Sequence, residues 1–355
     1  MSDTTELSKA KPEKQAITTM GEIAAMAGVS ESTVSRALSG STLVAESTRE
    51  RILKIAKAAN FTVNEQARNL ALGQTRSIEV VFPIEPGTLQ QVSDPFFVDM
   101  LATLTDEIAT HQYDVLLTKS TPWDPERPGC AFLGGRADGV VFVGQGRHRS
   151  EIRDFARAQR RVVVWDAIDD AQDYCVVGSD NFGGGFMATQ HLLSLGRKSI
   201  VFLGDTTLPE IGQRFAGYRT ALEAAGLQPS DGQFVDAPFD IEGARRAVAP
   251  LAAMYPAFDA IFAASDMIAL AAIAALREQG VEVPRDVSVV GFDDVPAGAY
   301  VNPSLTTIRQ DIKHGGKILV QKMLATLQGT PAGPETLPVE LVVRESCGAK
   351  DLRKD

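Results

Sequence analysis

The chain reads as an N-terminal all-α helix-turn-helix domain followed by an α/β core of two lobes. Three observations predict this class. Two short amphipathic stretches flank Gly28-Val29-Ser30 near the N-terminus. From Ser77 onward, apolar runs rich in Val, Ile and Phe alternate with amphipathic stretches, more often than one modest sheet can absorb. Charge divides at the same place. Residues 1–76 hold 10 Lys+Arg against 8 Asp+Glu, a net of +2, whereas residues 77–355 hold 25 against 37, a net of −12.

Taken in order, residues 1–16 are polar and charged, without an apolar run. They read as a disordered tail rather than a secretory signal, with Lys9, Lys11 and Lys14 available to phosphate. Residues 17–60 form the small helical domain. A first helix over 20–27 ends at Gly28, which supplies the positive φ of a helix exit, and Ser30 is placed to cap the next helix. Ile23, Ala24, Ala27, Val29, Val34 and Leu38 can then close one core. Ser32, Thr33, Ser35 and Arg36 stay outside, small donors beside a cation, as in a helix-turn-helix whose second helix enters the major groove. An ordinary αα-corner with a polar face is the alternative. A third helix is expected over 47–59, opening on a Ser47-x-x-Glu50 capping box, with Ile52, Ile55, Ala56 and Ala59 on one face.

Residues 61–76 differ in kind. They can form a short helix but carry no core of their own, so a plain linker stands beside a hinge that folds only on DNA. On the hinge reading, Leu70 is an apolar wedge for the minor groove.

In the core, strands are expected at 78–83, 113–118, 139–143, 161–166, 199–204, 260–263 and 287–292. Helices are expected at 97–110, 149–159, 182–195, 214–225, 242–254 and 267–279. Near-continuous apolar strands suit parallel sheets covered on both faces, with ligand at their carboxyl ends between the lobes. Gln145, Asp166, Ser265, Asp266, Asp293 and Asp294 all follow such strands. Carboxylates and amides converging there suit a ligand rich in hydroxyls. Arg214 offers a forked donor, and Phe96, Trp165 or Phe239 an aromatic face. The alternatives are structural: Ser265 or Asp266 as a helix cap, Asp294 as a turn residue, Phe96, Phe97 and Trp165 as core.

Several classes are excluded. Cys130, Cys175 and Cys347 are odd in number and in no CxxC pair, so they read as reduced cytoplasmic thiols, and the four scattered histidines form no metal site. No apolar stretch is long enough to span a membrane. No GxGxxG after a strand, no GxxxxGK[ST] and no GxSxG occurs, so neither an enzyme nor a cofactor is expected; Gly183-Gly184-Gly185 and Gly144-x-Gly146 read as turns.

Ala24-x-x-Ala27-Gly28-Val29-Ser30-x-x-Thr33-Val34-Ser35-Arg36 resembles the DNA-binding signature of the lactose-repressor/galactose-repressor (LacI/GalR) family. The likeness continues through Ser47 to Ile52 and the hinge from Asn64 to Ala71. It resumes at Arg214 to Tyr218, Ser265-Asp266, Ser288 to Asp294 and Leu305 to Ile308. The resemblance implies a dimeric transcription regulator whose core, at 77–347, has two Rossmann-like lobes in the manner of a periplasmic sugar-binding protein. The lobe boundary is expected near 178, crossovers near 308 and 330, and a tail at 348–355.

Carried over by position, Thr18, Ser30, Thr33, Ser35 and Arg36 are expected to contact phosphates and bases, with Glu31 and Ser32 tuning preference. In the hinge, Asn64, Arg68 and Leu70 are expected at DNA. Asp166, Arg214, Phe239, Ser265, Asp293 and Gln310 match positions that line the family's effector cleft, and Phe96 and Gln145, from the aromatic and strand-end reading, are expected beside them. Three departures matter: Ser at 265 where several relatives have Asn, acidic Glu31 on the recognition helix, and Ala71 where some relatives carry a basic residue. No apolar heptad segment follows Cys347, so a homodimer is expected rather than a tetramer.

The expected partners are therefore double-stranded, pseudo-palindromic operator DNA and a small sugar or glucoside, with no membrane. A charge of +2 is a weak electrostatic footprint, which makes doubling by dimerisation a requirement. The rivals are a plain sugar-binding protein and a regulator of a non-sugar ligand such as a purine.

Overall fold

The computed structural model describes residues 19–61, 69, 73–84, 91–119, 121, 123, 131–169, 172–228, 233–238 and 241–349. It divides into two compact units, Met1–Gln74 and Thr75–Asp355.

The first unit is a three-helix domain. Helix α1 (Met20–Ala27) is opened by Thr19, whose hydroxyl accepts from the Glu22 amide at 3.3 Å while Glu22 returns a carboxylate to the Thr19 amide at 3.1 Å. It ends at Gly28 with φ 62°. Helix α2 (Glu31–Leu38) is capped by Ser30, and helix α3 (Glu46–Ala58) closes the unit. Ile23, Val34, Val44 and Ile52 form the centre of the core, with Val29 and Leu38 packed against it. The capping box expected at Ser47 is not made. Helix α3 starts earlier, after Ala45, without a side-chain cap, and Arg49 pairs with Glu46 at 3.1 Å instead.

The second unit holds two six-stranded sheets. The first orders as β11-β5-β4-β3-β1-β2, from β1 (Ser77–Val81), β2 (Asp114–Thr118), β3 (Gly139–Val143), β4 (Val162–Trp165), β5 (Cys175–Ser179) and β11 (Glu335–Leu337). Every pairing in it is parallel. The second orders as β12-β10-β9-β8-β6-β7, from β6 (Ile200–Leu203), β7 (Phe234–Val235), β8 (Ala260–Ala263), β9 (Ser288–Asp293), β10 (Thr306–Gln310) and β12 (Val339–Val342). Only its β10–β12 pair is antiparallel.

Helices cover the sheets, as parallel strands buried on both faces require. They are α4 (Pro95–Thr110), α5 (Arg149–Ala158), α6 (Asn181–Ser194), α7 (Pro209–Ala224), α8 (Ile241–Ala252), α9 (Asp266–Glu278) and α10 (Ile312–Leu327). The chain passes between the sheets at Asp180, at Asp311 and at Pro338, so α10 packs on α4 and the first sheet although it follows a strand of the second. The last passage lies beyond the position near 330 expected from sequence.

One close approach sets the second lobe. A side chain at Gly185 would begin 2.1 Å from the Arg214 carbonyl, and one at Gly217 would begin 2.1 Å from the Phe182 carbonyl. Helices α6 and α7 therefore touch backbone to backbone. The Gly183-Gly184-Gly185 run is the first part of a packed helix, not a turn.

Candidate functional sites: a cleft between the lobes and a polar helix face

Where the strands of both sheets end, their last residues and the following loops enclose a cavity of about 420 Å³. From the first lobe come Asp94, Phe96 and Phe97 at the start of α4, Arg147 beyond β3, Trp165 and Asp166 at the end of β4, and Ser179 closing β5. From the second come Asp205, Glu210 and Arg214 around α7, Ser265 after β8, Asp293 closing β9 and Gln310 closing β10. Asn181 stands just past the first passage between lobes.

Arg214 is buried, with its Nε, its Nη1 and one face of the guanidinium engaged. It donates to Asn181 Oδ1 at 2.9 Å and to the Ala264 carbonyl at 2.5 Å, and lies 3.6 Å over the Phe292 ring. Asp293 Oδ1 is 3.9 Å away and accepts from Gln310 Nε2 at 2.7 Å. Burial pushes Asp293 up to about 7 against the pull of Arg214, and Asp94 across the cleft adds to the rise.

On the facing lobe Asp166 takes the Gln145 and Ala167 amides on its two oxygens, which fixes its carboxyl plane. Burial first, then the charge of Glu210, raises Asp166 well above the ordinary carboxylate range, and burial raises Glu210 as well. Two direct contacts span the lobes beside this pair. Arg147 pairs with Asp205 at 3.2 Å, and Gln213 Nε2 donates to the Ile168 carbonyl at 2.7 Å. Phe96 and Trp165 lie 6.5 Å apart between centroids and give the cleft an aromatic wall. Carboxyls held on a buried wall beside aromatic faces favour a ligand that brings hydroxyl donors and apolar ring faces.

Six of the expected cleft residues meet there: Phe96, Asp166, Arg214, Ser265, Asp293 and Gln310. Ser265 also caps α9 by accepting from the Ile268 amide at 3.3 Å, so both of its readings hold at once. Gln145 does not line the cavity. Flanked by positive-φ Gly144 and Gly146, it turns inward, is fully buried and accepts from the Tyr174 hydroxyl at 2.6 Å. Its backbone amide, not its side chain, serves the cleft by holding Asp166. Phe239 lies outside the described residues. Asp266 is a buried clasp, accepting from Thr307 Oγ1 at 2.5 Å and from the Val295 amide at 2.8 Å. Asp294 faces away and pairs with Arg309 and Arg344.

Asp94, Ser179, Asn181, Asp205 and Glu210 are lining residues that sequence reasoning missed. Glu210 had a signal, being one helical turn before Arg214.

The first unit presents a polar helix face. Glu31, Ser32, Ser35 and Arg36 of α2 are exposed, as is the cap Ser30, while Thr33 is half-buried. The Ser30 hydroxyl lies 2.9 Å from those of Ser32 and Thr33, which gathers three hydroxyls at the N-terminus of α2. The Glu31 carboxylate folds back on Gly21 of α1, where a side chain would begin 2.7 Å from Oε1. Among the described residues Arg36 has no ion-pair partner. Thr18, Asn64, Arg68 and Leu70 lie outside the described residues. Among the described residues no helix is long and apolar enough to cross a membrane.

Comparison with known proteins matches residues 19–64 to the family described as bacterial regulatory proteins, lacI family, and residues 189–347 to a periplasmic binding protein-like domain. The HTH-type transcriptional regulator CelR of Thermobifida fusca is 30% identical over 335 residues, covering 92% of this chain and 98% of the relative. The ribose operon repressor of Haemophilus influenzae is 28% identical with the same coverage. A solved transcriptional regulator CelR–cellobiose complex superposes with a TM-score of 0.68 at 28% identity, covering 92% of this chain and 99% of that one. The fold is also that of the Lac repressor dimer bound to operator, with a TM-score of 0.80 at 24% identity over 93% of this chain and 98% of the other.

Proposed function

The chain belongs to the lacI family of bacterial regulatory proteins, and from that premise we propose that it is a homodimeric repressor of carbohydrate-utilisation genes, controlled by a small sugar bound between its core lobes. As a member of that family it is a DNA-binding transcription regulator and not an enzyme. The observation that carries the finer reading is the cleft itself: five carboxyls and a Phe96–Trp165 wall are the complement of a pyranose, which offers hydroxyl donors at its rim and C–H faces above and below. The CelR relative solved with cellobiose supports it.

On this reading Ser30, Ser32, Thr33, Ser35 and Arg36 meet the operator in the major groove, with Glu31 at the edge of that contact. Thr18, Asn64, Arg68 and Leu70 extend it along the backbone and into the minor groove. The protein works in the cytoplasm, and two copies read the two halves of a pseudo-palindrome.

Binding to a pseudo-palindromic operator, measured at physiological salt with and without sugar, tests this. Arg36→Ala is expected to weaken operator binding about tenfold to a hundredfold. Arg214→Ala is expected to abolish the response to sugar. Operator binding that survives Arg36→Ala unchanged contradicts the assigned recognition helix, and a normal response in Arg214→Ala contradicts the assigned cleft.

A further inference from the structure

Two polar atoms in the cleft are buried and unmatched. Ser179 is 5% exposed, and its hydroxyl has no hydrogen-bond partner; Glu210 is half-buried, but its Oε2 is shielded from solvent and is also without one. Both residues line the cavity, Ser179 from the end of β5 in the first lobe and Glu210 from the first turn of α7 in the second. Buried polar atoms are almost always satisfied, so two unmatched atoms on the lining of one cavity are groups that a ligand's hydroxyls can satisfy. Glu210 beside Asp166 asks for donors, and Ser179 accepts or donates.

The cations of the cleft point the same way. Among the described lining residues the guanidinium groups are Arg147 and Arg214. Arg147 is paired with Asp205, and Arg214 is taken up by Asn181, the Ala264 carbonyl, Asp293 and the Phe292 ring. Each is thus offset by a carboxylate, and the five carboxyls of the lining, Asp94, Asp166, Asp205, Glu210 and Asp293, outnumber the two guanidinium groups, so an entering anion meets an acidic wall.

We propose that Glu210 and Ser179, with Asp166 behind Glu210, form a hydroxyl-binding subsite spanning the two lobes, which selects an uncharged, hydroxyl-rich ring and rejects the phosphorylated forms of the same sugars. This rests on the reading of the cleft as a sugar site. A ring bridging the two residues ties β5 to α7, so the same contacts that choose the ligand also draw the lobes together.

Isothermal titration calorimetry on the full-length protein tests it with three matched pairs: cellobiose and its 6-phosphate, glucose and glucose 6-phosphate, ribose and ribose 5-phosphate. At least one neutral sugar is expected to bind, at least a hundredfold tighter than its phosphate. Ser179→Ala and Glu210→Gln are each expected to weaken that sugar about tenfold or more, and Glu210→Gln to narrow the preference over the phosphate. Unfolding temperatures of both variants check that they fold, and Ser179→Ala reads the same subsite if Glu210→Gln does not. A phosphate bound as tightly as its neutral partner, or a neutral sugar bound unchanged by both variants, overturns the subsite while leaving the sugar reading in place. Hypoxanthine bound with no sugar of the six overturns both.

Discussion

Arg214 and Asp293 show how single residues hold the cleft. The guanidinium is fixed by an amide, a carbonyl, a carboxylate and a ring, so it organises the site as well as touching it. Asp293 is raised to about 7 by burial, with Arg214 pulling it down, Asp94 and Asp266 nearby, and Gln310 donating to it. A carboxyl whose folded value lies above its unfolded value contributes stability that is complete below the unfolded value and is lost as pH rises through the folded one. The ligand-free protein is therefore expected to unfold at a higher temperature at pH 6 than at pH 8, with Asp293→Asn flattening the difference. Scanning calorimetry at both values checks this, and a wild-type difference that Asn leaves intact assigns the effect elsewhere. Residues placed directly after apolar strands were legible from sequence, which is why Asp166, Ser265 and Asp293 were found. Asp94, Ser179 and Glu210 were not, because a helix cap, a strand's last serine and a first-turn glutamate have ordinary local uses. Gln145 was misplaced because strand-end position does not say which way a turn flanked by two positive-φ glycines aims its side chain.

Helices α6 and α7 carry the second lobe's share of the site, and their separation is set by Gly185 and Gly217. A methyl at Gly185 would meet the backbone of the turn that bears Arg214, so α7 must shift. Gly185→Ala is expected to cost about 1–3 kcal/mol and to lower the unfolding temperature by several degrees. It should also weaken any cleft ligand, because Glu210 and Arg214 move with α7. Thermal unfolding beside sugar titration checks both effects, and an unchanged protein contradicts the tight contact. Long strongly periodic elements were readable from sequence, but α10 was not. Its Gly315-Gly316 pair breaks the apolar pattern where the helix presses on Trp165 and Thr103, contacts that exist only once the chain has returned to the first lobe. The short strands β7, β11 and β12 span two to four residues, too few for periodicity to register. The Thr19-x-x-Glu22 spacing is itself a capping-box signature and makes one, while the one expected at Ser47 is replaced by an Arg49–Glu46 pair.

For the whole molecule, the charge division of +2 against −12 separates two tasks on one chain. The first unit carries little general attraction for DNA, so specific contacts and duplication must supply the affinity. The second unit crosses between its lobes at Asp180, Asp311 and Pro338. A sugar can move operator affinity only as far as it prefers one arrangement of the lobes over the other. The series of sequence motifs announced this organisation and the strand-end carboxylates a hydroxyl-rich ligand, whereas the unmatched atoms of Ser179 and Glu210 come into view only where both lobes meet in one cavity. The central claim is that occupation of the cleft sets operator affinity. Fluorescence anisotropy on labelled operator at fixed salt, across a titration of the neutral sugar that binds the cleft, measures this directly. The account predicts a change in operator affinity of about 5- to 150-fold, half complete at the sugar's own dissociation constant and absent in Arg214→Ala. A sugar that fills the cleft while operator affinity stays constant would contradict it.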